Sequence, residues 1–215
     1  MRSFALATGA EARVRNQDSP RAAVLVNGGT SRRTPGTWSA TSEWLAERLE
    51  RRFPAIALLE VRYRTKSWHE LPSCMADTEA ALDVLDRPTL LLGFSMGGAV
   101  AIGVSDDGRV RAILGLAPWI PDQLALGGLA GKRFDVVHGG WDRWLPGIPG
   151  VSPGHSRAGF ERALAAGAHG TYTLVRRGLH GVAVRSRRGG LVTLPSAQGW
   201  LAPVFAAVAR FSEAD

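Results

Sequence analysis

Thr89-Leu90-Leu91-Leu92-Gly93-Phe94-Ser95-Met96-Gly97-Gly98-Ala99-Val100 is the stretch on which the fold turns. It opens with an apolar run of strand length, passes through small residues and continues into 97–104, which reads as a helix. A strand entering a helix through Gly-x-Ser-x-Gly forms a tight turn that holds the serine hydroxyl outward, because the flanking glycines leave room for a strained backbone. The pentapeptide alone also fits an ordinary glycine-rich strand-to-helix turn, so its surroundings have to decide.

Outward from this turn, short apolar runs repeat. Residues 22–26, 56–61, 110–116, 134–137 and 172–175 are leucine-rich or β-branched and nearly continuous, as expected of strands covered on both faces. Between them lie amphipathic segments: 42–52, a helix capped by Ser73 with Met75, Ala81, Leu82 and Leu85 on its apolar side, 157–168, and 197–211. Strand and helix alternate, which predicts an α/β fold, a mainly parallel twisted sheet with helices on both faces. The first twenty residues predict an antiparallel hairpin, and 182–194 a second strand pair turning at Arg187-Arg188-Gly189-Gly190. The connection from Pro118 to Phe134 has room for one short helix and no cap domain.

At 215 residues and 45% hydrophobic composition the chain fits one domain spanning 1–215. The single cysteine, Cys74, excludes an internal disulfide, a zinc ribbon and a redox Cys-x-x-Cys pair. The reading therefore predicts neither cofactor nor metal. Residues 1–20 lack the features of a secretory signal, and 89–104 is too short and glycine-rich for a membrane helix, so a cytoplasmic location is the default expectation. The net charge of +7 raises the question of a polyanionic partner. The arginines are scattered, with small knots at Arg32-Arg33, Arg51-Arg52, Arg176-Arg177 and Arg185-Arg187-Arg188, and no nucleic-acid-binding signature accompanies them, so neither nucleic acid nor membrane is expected as a partner.

Sites in open parallel sheets form at the carboxyl ends of strands. Ser95 lies at one such end. A serine hydroxyl needs a base, and the base an acid that fixes its tautomer. Asp142, in His138-Gly139-Gly140-Trp141-Asp142, follows the strand 134–137; as a bland alternative it is a turn aspartate bonding its own backbone. Asp135 sits too early in that strand and Asp122 lies inside a connection. His180, between Leu179 and Gly181, follows the last strand and is the candidate base, with a surface loop histidine as the alternative. His138 is expected to buttress Asp142, whereas His69, His155 and His169 look like surface or helix-end residues. An oxyanion needs two donors. The amide of Met96 and that of Gly29 or Thr30, in the turn after Asn27-Gly28, are the candidates. That turn matches neither a dinucleotide fingerprint nor a phosphate loop. Trp119, Trp141 and Trp144 either line an apolar pocket with Met96 or simply cover the sheet end.

These residues resemble the α/β-hydrolase superfamily over nearly the whole chain. Val24-Leu25-Val26-Asn27-Gly28-Gly29 looks like its oxyanion strand and loop, Gly93 to Gly98 like its nucleophile elbow, and Val136 to Pro146 like its acid-bearing strand end; the order Ser95, Asp142, His180 is the superfamily's. The small size and the Gly-Phe-Ser-Met-Gly-Gly elbow are similar to dienelactone-hydrolase-like and small carboxylesterase or thioesterase members. The resemblance implies hydrolysis of a small-molecule ester or thioester through an acyl-enzyme on Ser95. Amide cleavage, acyl transfer, lyase chemistry and a non-catalytic binding role remain open on the same fold. One departure stands out: members usually carry histidine where this chain has Asn27, so a different hydrogen-bonding pattern must shape that loop.

Overall fold

The computed structural model describes residues 1–142 and 150–214. Its elements, in chain order, are β1 (Arg2–Ala5), β2 (Glu11–Arg15), β3 (Arg21–Val26), β4 (Thr34–Pro35), α1 (Ala40–Arg52), β5 (Ile56–Arg62), β6 (Thr65–Lys66), α2 (Leu71–Leu85) and β7 (Thr89–Phe94). They continue with α3 (Met96–Gly103), β8 (Val110–Leu116), β9 (Arg133–Gly139), α4 (Pro153–Ala165), β10 (Tyr172–Val175), β11 (Ala183–Arg185), β12 (Leu191–Thr193) and α5 (Gln198–Glu213). An 8-stranded sheet in the order β1-β2-β5-β3-β7-β8-β9-β10 forms the centre. From β5 to β10 the strands run parallel, while the β1–β2 hairpin joins β5 antiparallel.

Alternation along the strands divides the core in two. On β3, Ala22, Val24 and Val26 face α2, α3 and α4, with Leu82, Val100 and Phe160 packed on that side. Ala23 and Leu25 face α1 and α5, against Trp44, Leu49, Trp200 and Val208. Two-sided burial explains why the central strands read as continuous apolar runs. The antiparallel edge is fastened differently: Arg13 of β2 donates to both carboxylate oxygens of Glu60 on β5, at 2.8 and 2.7 Å, and to Glu43 of α1 at 2.7 Å.

Helix starts depart from the sequence reading: α1 begins at Ala40 rather than at residue 42, behind the Ser39 cap. α2 begins at Leu71 rather than after Ser73, because Pro72 supplies a fixed φ and needs no amide partner in the first turn. α4 begins at Pro153, where the Ser152 hydroxyl accepts from the amide of His155 at 3.2 Å, and ends at Ala165. The connection from Pro118 to Phe134 carries only the short 3₁₀ turn Gly127–Leu129. β11 and β12 pair as a hairpin. No helix among the described residues is long and apolar enough to cross a membrane.

Candidate active site

The chain leaves β7 and turns into α3 at Ser95, whose backbone sits at φ 54°, ψ −120°. A left-handed φ at a residue with a side chain costs on the order of 1–3 kcal/mol and persists only when the surroundings enforce it. Here the Ser95 amide donates to Leu116 O at 2.9 Å and the Ser95 carbonyl accepts from the amides of Gly98 and Trp119, each at 2.9 Å. Space enforces it too. A Cβ on Gly93 would lie 2.4 Å from Gly97 O, and one on Gly97 would lie 2.2 Å from Val26 O. Only glycines let α3 approach β7 and β3 this closely.

Asp142 follows β9 and His180 follows β10, so both stand at the same end of the sheet as Ser95. His180 Nδ1 lies 2.6 Å from Asp142 Oδ2. The carboxylate can only accept, so Nδ1 carries a proton, which in the neutral ring leaves the lone pair on Nε2. Burial alone would raise the Asp142 pKa, but hydrogen bonds from His138 and His180 hold it below the ordinary carboxylate value. His138 is fully buried, with Nε2 at 3.1 Å from Asp142 Oδ2 and 2.9 Å from Val151 O. Since Val151 O accepts as well, the proton of His138 is on Nε2. The imidazole of His180 rests on the ring of Phe94, the residue before Ser95, with centroids 5.1 Å apart. Among the described residues no hydrogen bond reaches the Ser95 hydroxyl. Such contacts are often long in unliganded sites and tighten around substrate.

The Asn27 loop closes over the elbow. Asn27 Oδ1 accepts from the amide of Gly28 at 2.7 Å and its Nδ2 donates to Thr37 O at 2.7 Å, while Tyr63 Oη donates to Asn27 O at 3.2 Å. The asparagine thus braces the turn in its own way. Gly28 lies against Ser95, where a Cβ would be 3.3 Å from that of the serine, and Gly29 lies against Met96. Among the described residues nothing accepts from the amides of Gly29 and Thr30. Met96 opens α3, where the first amides lack intrahelical partners.

A cavity of about 400 Å³ opens beside His180, walled by Ala40, Thr41, Phe94, Trp141, Leu179 and Val184 among others. Trp141 lies in this wall. Trp119 does not: it packs on Trp68 at 6.2 Å between ring centroids and against the core under α3. Trp144 lies outside the described residues. Thr41 had no signal in the sequence, yet its hydroxyl contacts Val182 N at 3.3 Å and Ala183 O at 3.4 Å and joins the β11 segment to α1. Asp122 is exposed and pairs with Arg162 at 2.9 Å, away from the cavity. Asp135 is held by Arg133, Arg210 and Thr171. It borders a larger cavity of about 620 Å³ at the opposite, amino-terminal ends of the strands. Size alone would favour that cavity. The Asp142–His180 hydrogen bond and the strained serine make the carboxyl ends the candidate site. No group of described residues is arranged to hold a metal ion.

No protein-family model matches the sequence, and no curated protein matches it either. Solved structures do. An α/β hydrolase enzyme, MGS-M1, from a Medee basin deep-sea metagenome library is similar at 17% identity and a TM-score of 0.71, with 100% of this chain and 99% of that one covered. A sugar hydrolase, YeeB, from Lactococcus lactis is 16% identical at a TM-score of 0.72, over 97% of both chains. A dienelactone hydrolase-like promiscuous phosphotriesterase, P91, from metagenomic libraries is 16% identical at 0.66, over 99% of this chain and 97% of its own. With its strand order, its elbow and these neighbours, the chain has the α/β-hydrolase fold.

Proposed function

We propose that the protein is a serine hydrolase that cleaves a carboxylic ester or thioester of an apolar acyl group. The observation that carries this reading is the 2.6 Å Asp142–His180 pair at the strand ends beside a serine held at φ 54°. His180 Nε2 takes the Ser95 proton as Oγ attacks the substrate carbonyl. The tetrahedral oxyanion rests on the amides of Met96 and of Gly29 or Thr30. Its collapse expels the alcohol or thiol, which receives the proton from His180. Water, deprotonated by the same imidazole, then releases the acid and restores Ser95. Asp142 holds the imidazole in the required tautomer and balances its charge. His138, through Asp142, is a positioning residue.

The neighbours' names cover sugars and phosphotriesters as well, so the choice of an ester rests on the site itself. Among the described residues, the walls of the 400 Å³ cavity carry no ionisable side chain apart from Asp142 and His180, and Phe94, Trp141, Leu179, Val184 and Leu194 suit an uncharged apolar group. p-Nitrophenyl esters and acyl-thioesters of rising chain length test the reading. We expect turnover that improves with chain length until the cavity is full and that falls about 10⁴-fold in Asp142→Asn, which leaves His180 in the wrong tautomer. Equal rates in wild type and Ser95→Ala on every ester would refute it, and saturable binding without turnover would point to a binding protein.

A further inference from the structure

We infer that the mouth of the His180 cavity is a docking surface for an anionic lipid interface, from which an apolar substrate enters. Between Glu161 and Glu213 the sequence carries arginines but no aspartate or glutamate. This stretch includes the His180 loop and β11, which with Leu194 after β12 wall part of the cavity. Arg177 lies beside Trp141 of the wall, and Arg187 and Arg188 lie in the turn of the hairpin whose Val184 is in the wall. Arg176, Arg177, Arg187 and Arg188 are exposed, and among the described residues none of them pairs with a carboxylate.

Exposed apolar side chains share this surface. In the hairpin, Ala183 stands opposite Thr193, and Val184 opposite Val192. Residues directly opposite each other in an antiparallel pair share a face. The Thr193 face is fastened to α1, since Trp44 Nε1 donates to Thr193 Oγ1 at 2.9 Å and Thr41 Oγ1 meets Ala183 O. Val184 and Val192 therefore point outward, each 47% exposed, with Val184 also at the cavity wall. Across the cavity Trp141 is 55% exposed, with the Arg177 guanidinium 5.7 Å from its ring centroid. Arg177 holds a left-handed φ of 56° at this turn, an outlying conformation for a long side chain. Leu174, 51% exposed on the edge strand β10, extends the patch beside Gly140. Apolar groups ringed by unpaired arginines fit a surface with hydrocarbon below and negative headgroups above. A nucleic acid would use the arginines and leave the valines and the tryptophan without a role.

That the surface delivers an ester to Ser95 rests on the proposed hydrolase reading; the docking itself does not. The test is co-sedimentation of the Ser95→Ala protein with phosphatidylcholine vesicles, with and without phosphatidylglycerol. Each basic side chain near an anionic leaflet is worth about 1 kcal/mol, roughly fivefold in partitioning. We expect binding to the anionic vesicles that weakens with salt and drops about 25-fold in Arg187→Ala/Arg188→Ala. Val192→Ser should weaken it further, and both variants should keep wild-type turnover of a short water-soluble ester when Ser95 is present. Absence of binding at low salt would overturn the inference, as would equal binding of the arginine variant. Retention of duplex DNA at physiological salt, unaffected by Val192→Ser, would also overturn it and identify a polyanion site. Vesicle binding in a protein that turns over no ester would sink the hydrolase reading and leave the docking surface standing.

Discussion

Gly97→Ala should unsettle the junction on which the whole site depends. The added Cβ would meet Val26 O at 2.2 Å and Asn27 O at 2.7 Å, both backbone atoms. Comfortable heavy-atom separations are about 3.5–4.0 Å, so α3 and the tip of β3 must part by about 1.3 Å or more. Overpacking of a core costs about 1–3 kcal/mol, and contact with backbone on both sides places this substitution near about 3 kcal/mol. For a domain of this size that lowers Tm by about 6–12 °C. The same displacement separates the Met96 amide from Gly29, and a misplacement near 1 Å can cost about 100-fold in rate. Urea unfolding, together with ester turnover measured well below the variant's Tm, reads both effects. Gly108→Ala is the control, because its Cβ would meet nothing within 4 Å. If Gly97→Ala matched this control in midpoint and in turnover, the argument that glycine permits the close approach of α3 to the Asn27 loop would be wrong.

Three further outcomes follow from the geometry. Asn27→Ala leaves the Gly28 amide and the Thr37 carbonyl without their partners; stability should fall by about 1–3 kcal/mol in urea melts and kcat should drop with KM little changed. Burial pushes the Cys74 thiol up to about 11, so an aromatic disulfide reagent at pH 8 should label the native protein only as fast as it unfolds; rapid native-state labelling would contradict the buried placement. Asp135 is held below the ordinary carboxylate value: burial alone would raise it, but Arg133, Arg210 and Thr171 outweigh that. A carboxylate depressed in the folded state stabilises above its unfolded pKa, about 3.9, and that stability is lost as pH falls through the folded value. Asp135→Asn should therefore cost about 3 kcal/mol near neutrality, and the gap to wild type should close in strongly acid solution.

Much of the fold was legible because parallel strands buried on both faces leave unbroken apolar runs. β8 and β10 start and stop where the sequence puts them, at residues 110–116 and 172–175. The start of α2 was not legible: a serine with good capping chemistry, Ser73, lies just inside a helix that Pro72 had already opened. Sheet order is a matter of long-range pairing, and no local pattern shows that β2 joins β5 through Arg13 and Glu60. Within the site, Ser95, Asp142 and His180 each follow a strand, which sequence spacing can express. The lining of the cavity is different. Thr41, on α1, meets the β11 segment only because the chain folds back on itself, and Trp119 turns to Trp68 rather than to the cavity.

The central claim is that Ser95 attacks a carbonyl under the control of His180. Intact-protein mass spectrometry after treatment with a fluorophosphonate, followed by peptide mapping, tests it most directly. A single adduct is expected on the peptide containing Ser95, absent in Ser95→Ala and formed far more slowly in His180→Ala. An adduct of unchanged yield in Ser95→Ala, or one that maps to another residue, would contradict it.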